Sequence, residues 1–594
     1  MSEEPKSIWK KSWHGPRGYI FGIKLLSVAV FLLIVTSALI YGYTAEAATV
    51  AGIFISVLIL SAVTVGLLIC LTRGFFSKGW RSTLIRLTCF ATLIAIFYAE
   101  EDWRGKHDWE KFKQEWEAKG ERFDFSSVIP KPVPDDQNFA LTPVVASCYE
   151  HILDRNGKRI VPPNTNVVDR LAMEIESSVS DLMSWPTNGH WLRQTKTDLS
   201  GWQQFYRALA AKTNEFQVPA QPQSPAADVL LALSKYNSTI EELRAASRLP
   251  YSRFPLNYDS EHPFDTLLPH LAAMKNCSKV LQLRTIAELQ AGETDKALTD
   301  VTLTLRLTET FRTDPFLISQ LVRIAMTEIT LQPIYEGLAE RRWSDEQLVA
   351  LDAELAKLDF LADYRFSMRG ERAETCATID YISKEQSYQR YQALFVNMWA
   401  NESVTLSGQF KNTAKAVGIY LMPAGWFAQN KICFARREQS WITGAIFPKE
   451  HLASPQKHRE VDQAESKLYN SPARPWNFLA KKFLPALGAA GRKSCREQIS
   501  VDLARTAIAL ERYRLARGEF PESLDVLAPQ FIAQVPHDVI GGQPLHYRRT
   551  ADGQFVLYSV GWNEKDDGGI VFIPKGGSQA KFDEGDWVWR YPTK

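Results

Sequence analysis

The stretch YSVGWNEKDDGG, Tyr558 to Gly569, holds the residue types in this chain most suited to chemistry. A strand-like run breaks at Gly561 into an acidic loop closed by Gly568 and Gly569. Asn563, Glu564, Asp566 and Asp567 offer the hard oxygen donors that calcium takes. Lys565 among them offsets one negative charge, and the EF-hand spacing fails, because Lys565 and Pro574 stand where that loop needs ligands. The competing reading is a solvated acidic turn whose glycines permit positive φ. A general acid–base pair is the poorest fit: Asp566 and Asp567 are adjacent, so their side chains diverge, and the loop offers no shelter from water.

Other searches assign no catalytic residue and no organic cofactor. Ser559 in LYSVG lacks the first glycine of a nucleophile elbow, and HExxH, Walker A and GxGxxG patterns do not occur. His262 and His270 flank PFDTLLP beside Asp259 and Glu261, but the prolines between them do not hold the pair to one face. Cys376 with a distant histidine is unconstrained as a dyad. Cys148, Cys277, Cys376, Cys433 and Cys495 show no CxxC, and both a bridge or two and buried reduced thiols fit their spacing.

The elements around these residues begin with a different kind of sequence. Leu25–Tyr43 and Ala47–Thr72 are free of charge, and spans over 25–43 and 47–71 are long enough to cross a bilayer. A third span is expected over 82–99, with Arg86 snorkelling to the interface; a segment lying on the membrane is the alternative. Lys6, Lys10, Lys11, Arg17 and Lys24 precede the first run, and Arg73, Lys78, Arg81 and Arg86 follow the second. That bias places the N-terminus in the cytoplasm, and three spans then place the bulk of the chain outside it. Ala45-Glu46-Ala47 resembles a signal-cleavage site, but the apolar stretch before it exceeds the usual signal length. The expected location is a bacterial inner membrane, with lipid as one partner and envelope proteins as others. A net charge of +2 from 69 basic and 67 acidic groups implies no nucleic-acid partner.

Beyond the membrane region (1–99), 100–137 reads as a charged helix followed by the Pro-rich linker PKPVPDD. Trp103, Trp109, Phe112 and Trp116 are expected to form one aromatic stripe on that helix. Helical periodicity dominates 138–494: Val229–Leu243, Ala272–Gln290, Thr294–Arg312, Pro315–Glu340 and Asp345–Leu358 each carry apolar residues three and four apart. AELQAGETDKALTDVTLTLRL has the pattern of a helical hairpin, though no second repeat follows. GIYLMPAGWFAQN, Gly418–Asn430, reads as buried core. In 495–594 a helix with Ile499, Leu503, Ala507, Leu510 and Tyr513 on one face stops at Gly518. Strands are expected at Leu545–Arg549 and Gln554–Val560, joined by an Asp552-Gly553 turn, then at Ile570–Ile573 and Trp587–Tyr591.

ALERYRLARGEFPESLDVL, VPHDVIGGQPLHYR and FVLYSVGWNEKDDGG, in that order, resemble the globular part of type II secretion major pseudopilins. Tyr513, Gly518, Pro521, Asp538, Gly541 or Gly542, Pro544 and Tyr547 carry the similarity. The resemblance implies a small α+β domain and a calcium-binding acidic loop, which brings Asn563, Glu564, Asp566 and Asp567 forward again. It implies no filament role, because the prepilin cleavage segment and the apolar half of the pilin helix are absent from this stretch. The chain as a whole also resembles a group of uncharacterised bacterial proteins with three membrane spans.

The expected fold is mainly α: transmembrane helices, a large helical extracytoplasmic domain of hairpin or solenoid character, and a pseudopilin-like α+β tail. The expected function is a membrane-anchored scaffold or interaction protein of the bacterial envelope, related to secretion or pili. An envelope hydrolase with a site assembled within the helical domain, or an extracytoplasmic ligand sensor, are the alternatives.

Overall fold

A computed structural model describes residues 79–149, 170–175, 186–258, 266–385, 418–472, 474–483, 487–572 and 583–592. The runs at 25–43 and 47–71, and His262 with its acidic neighbours, lie outside these residues. The described chain is mainly helical: α1 Gly79–Glu117, α2 Pro143–Ala146, α3 Leu199–Ala210, α4 Pro225–Leu233, α5 Asn237–Ala246, α6 Pro269–Ala291 and α7 Thr294–Glu309. Then come α8 Leu317–Ala339, α9 Asp345–Leu355, α10 Phe360–Glu385, α11 Ala424–Gly444, α12 Pro455–Asn470, α13 Phe478–Phe483 and α14 Leu487–Arg517. A two-residue pair, β1 Ile446–Phe447 with β2 Leu452–Ala453, follows α11, and an antiparallel sheet of β3 His546–Arg549, β4 Phe555–Ser559 and β5 Trp587–Arg590 follows α14.

The chain divides into two compact units, Met1–Glu100 with Asn470–Phe478, and Glu101–Tyr469 with Leu479–Lys594. In the first, Leu84, Ile85, Leu93, Ile94, Ile96 and Phe97 of α1 are exposed. Among the described residues no helix is long and apolar enough to cross a membrane. The third span expected over 82–99 is instead the first part of a 39-residue helix whose sequence turns charged at Glu100, Glu101, Asp102 and Arg104.

In the second unit, Gly292 (φ +80°) ends α6 and turns the chain into α7, the hairpin that its sequence suggests. The single helix expected over Val229–Leu243 is broken by a 3₁₀ turn at Ser234–Tyr236. One core joins α3 to α7 through Trp202, Tyr206, Leu243, Met274 and Leu307. A second, larger core runs through α8, α9, α10, α11 and α14 and continues without a break into the sheet. On α1, Trp109 and Phe112 are buried and Trp116 packs against them, while Trp103 is exposed. At 100° per residue, six positions carry Trp103 about 120° away from Trp109, off the stripe. Just after α1, Glu121 accepts hydrogen bonds from Arg369 (2.7 Å) and Arg372 (2.9 Å) of α10. Burial alone would raise its pKa, but those two guanidinium groups outweigh it and hold the carboxyl at about 2.

The tail matches much of its expected layout. Asp552-Gly553 turns β3 into β4, with Gly553 at φ +72° and Tyr547 opposite Leu557. Of the strand expected at Ile570–Ile573, the described residues 570–572 show a bridge between Val571 and Gly585. The boundary expected at 494/495 falls inside α14, which begins at Leu487. Trp589 of β5 is fully buried between Trp191 (5.1 Å) and Tyr335 of α8 (5.4 Å), and the Tyr335 hydroxyl donates to the Arg590 carbonyl at 2.8 Å. Sheet and helical layer therefore share one core. Trp589→Ala should destabilise the protein by about 3–5 kcal/mol, and the separate fragment Cys495–Lys594 should lack a cooperative melt. Chemical denaturation of both checks this; a cooperative fragment would show that the tail is a domain in its own right.

Candidate functional site

The acidic loop is built from the backbone outward. Asp566 Oδ1 accepts from the Tyr558 hydroxyl and the Gly568 amide, each at 2.9 Å. The Gly568 and Tyr558 bonds hold the Asp566 carboxyl below its usual pKa. Asp567 accepts from the Asn563 side chain (2.8 Å), Asn563 Oδ1 caps the Lys565 amide (3.0 Å), and Glu564 turns away to Arg459 (2.7 Å). Of the four candidate calcium ligands, Asn563 and Asp567 thus bond each other, while Glu564 and Asp566 take partners outside the set. Among the described residues no group of three His, Cys, Asp or Glu side chains is set to hold a metal.

The residue that organises the loop was not among the candidates. Asp586, at the mouth of β5, accepts from the amides of Asp567 (3.2 Å), Gly569 (2.6 Å) and Ile570 (3.4 Å). Burial raises its pKa, and those amide bonds oppose the rise. No local sequence signal marks Asp586, because its partners lie 16 to 19 residues earlier. Asp538 does similar work at the end of β4, accepting from the Ile540 amide (2.8 Å), the Ser559 hydroxyl (2.9 Å) and the Val560 amide (3.1 Å). Burial raises its carboxyl to about 6 against these bonds. Tyr547 donates to the Pro521 carbonyl at 2.6 Å. The motif residues therefore tie the exit of α14 to the sheet. Cys376 is buried against α1 and α11, and burial pushes its thiol up to about 12, far from a nucleophile's range. His270 is fully buried with Asp314 at 3.0 Å.

A cleft of about 510 Å³ is a better candidate site. Its floor is the first turns of α14, where Ala489, Arg492, Lys493 and Arg496 recur three and four apart and so share a face. Its walls are His190, Leu192 and Arg193, Glu328 of α8, Trp562, Asp583 and Trp587. The 3₁₀ turn Trp191–Arg193 is held by Trp191, buried on Trp589, and Gln194 at φ +58° reverses the chain after it. That anchor leaves His190 and Arg193 at the rim. Below, His458 donates from Nε2 to the Gly488 carbonyl (2.9 Å) and meets Trp562 edge-on at 4.9 Å. A Cβ on Gly488 would stand 3.0 Å from Trp441, so the glycine admits this close approach. Burial, helped by Arg492, lowers His458 to about 4 and keeps it neutral.

The charges do not cancel. Arg492 faces Asp583 at 3.4 Å, and Arg496 faces Glu328 at 3.3 Å. Arg193 and Lys493 have no ion pair among the described residues; Arg492 also reaches Asp462 at 4.0 Å, and the lining itself carries four cationic side chains and two carboxylates. His190 Nε2 lies 3.8 Å from Glu328, and its Nδ1 is buried without a hydrogen-bond partner. Burial lowers its pKa while Glu328 opposes, which favours the neutral ring. No serine, threonine or cysteine lines the cleft among the described residues. Such a site attracts an anion and offers tryptophan edges to an apolar body. The sequence carries one trace of it, the basic pattern Arg492-Lys493-x-x-Arg496 near the start of that helix. Comparisons with family models, with curated proteins and with solved structures each find no match.

Because its oxygens are already committed, the loop should behave as a turn: thermal melts of the protein with calcium and with a chelator should coincide. Asp586→Ala should cost more stability than Asp567→Ala, because it strips three part-buried amides of a buried acceptor. A calcium-dependent rise in melting temperature, lost in Asp566→Ala, would establish a metal site instead.

Proposed function

We propose that this chain is a membrane-anchored protein of the bacterial envelope whose folded part is a binding scaffold, with the α14 cleft taking an anionic ligand. The cleft carries the reading: four cationic side chains, two of them unpaired among the described residues, converge beside two tryptophans on a rigid helical floor. Membrane anchoring draws support from the charge-free runs at Leu25–Tyr43 and Ala47–Thr72 and from the exposed apolar side chains of α1. The basic flanks favour a cytoplasmic N-terminus. The tail keeps the pseudopilin-like motif order, here serving as a brace between α14 and the sheet. Secretion- or pilus-related partners fit that likeness.

A hydrolase is the second reading, favoured by neutral His190 beside Glu328 within the same cleft. Isothermal titration with pyrophosphate and with citrate separates the possibilities. One-to-one binding that weakens with salt is expected, and Arg193→Glu with Lys493→Glu should reduce it at least about tenfold, since each charge-assisted bond contributes on the order of 1.5–3 kcal/mol. Turnover of nitrophenyl esters that is lost in His190→Gln would favour the hydrolase. No binding of either anion, with the fold intact, would remove the ligand site.

A further inference from the structure

The segment Gly418–Asn430 does not behave as uniform core. Ile419 and Met422 are buried, but Tyr420 is 64 % exposed and Leu421 43 %. After Pro423 the chain enters α11, whose first turn is locked onto α1. The Gly425 amide donates to Asp102 (2.8 Å), and the Trp426 indole donates to Glu101 (2.7 Å). A Cβ on Gly105 would stand 2.1 Å from the Gly425 carbonyl oxygen, so only glycine allows this approach. From there the two helices run in parallel, with Lys431 over Trp109 at 4.2 Å and Arg436 over Phe112 at 5.8 Å. The end of α11 that carries Tyr420 and Leu421 is therefore the end that meets Glu101–Gly105. Trp103, 67 % exposed and stacked on His107, belongs to that same turn.

We infer that Trp103, Tyr420 and Leu421 form a foot that rests in the headgroup region of the bilayer, at the level where the sequence of α1 turns from apolar to charged. The inference rests on the membrane-anchored reading above. Three observations favour lipid as the occupant. Tryptophan and tyrosine, each with an apolar body and a polar tip, are the side chains that settle at a membrane–water boundary. The chain outside the described residues holds two charge-free runs and ends directly at Gly79, where α1 begins, and α1 changes from apolar to charged one turn before Trp103. The acids of that turn are used internally: Glu101 is taken by Arg104 and Trp426, and Asp102 by Gly425. Exposed Lys106 then stands by the aromatic groups where lipid phosphates would lie. The foot would fix the tilt of the folded part on the membrane and give α11 a second bearing beside α1.

The test uses the full chain reconstituted into vesicles of phosphatidylcholine and phosphatidylglycerol. An environment-sensitive fluorescent amino acid replaces Tyr420 in one sample and Val526, exposed on the tail, in another. Nitroxide carried on lipid headgroups should quench the probe at 420 several-fold more than the probe at 526. Equal quenching at the two positions, with the protein floating with the vesicles, would overturn the foot and leave the anchor standing. Protein that does not float would overturn the anchor and the foot together.

Discussion

Everything in the folded part depends on α14 being buried on nearly every side. Cys495, Val501, Leu503, Ala504, Ala507, Ile508 and Leu510 have almost no exposed surface, although they face in different directions around the helix. Such a helix cannot be a surface element and must be clasped by two layers at once. Its polar side chains are tied to both. Gln498 accepts from the Phe360 amide (2.8 Å), Arg505 pairs with Asp352 of α9 (2.8 Å), and Arg512 reaches Asp345 (2.8 Å) and the Phe531 carbonyl (2.7 Å). Helical layer and sheet are thus not two domains in contact; they are two sides of one helix.

The cleft follows from that constraint. The first turns of α14 extend beyond the sheet, so their basic face is left open between Trp587, Trp562 and the His190 turn. Arg492, Lys493 and Arg496 cluster on these first turns, while Arg505 and Arg512 farther along the helix are taken up by Asp352 and Asp345. Burial of the aromatic and imidazole groups beneath, Trp441 and His458, fixes the floor, and a rigid floor is what a binding site requires. The salt links of Arg492 and Arg496 hold two cations in place and leave Arg193 and Lys493 to face a ligand.

How much of this was legible in the sequence depends on the range of the interaction. Periods of three and four residues placed α6, α7, α8 and α9 to within a few residues, because a helix is written locally. Asp552-Gly553 gave the hairpin for the same reason. The run expected as a strand at Ile570–Ile573 looks apolar, but of its described residues Ile570 and Phe572 are exposed, and bonding at 570 and 571 is set by Asp586 and Gly585 from farther along the chain. The boundary expected at 494/495 falls within α14, whose buried residues lie both on the side toward the sheet and on the side toward the helices. The acidic loop drew attention through composition alone; which carboxylate it depends on is a matter of tertiary contact. The cleft joins residues near 190, 328, 490, 562 and 585, and no local pattern could bring those together.

The central claim is that α14 makes the tail and the helical layer one cooperative structure. Native-state hydrogen exchange measures that directly, residue by residue. Amides of β4, α14 and α8 should exchange through the same global opening, with one free energy and one denaturant dependence. Exchange of β4 through a separate, lower-energy opening while α8 and α10 stay protected would contradict it.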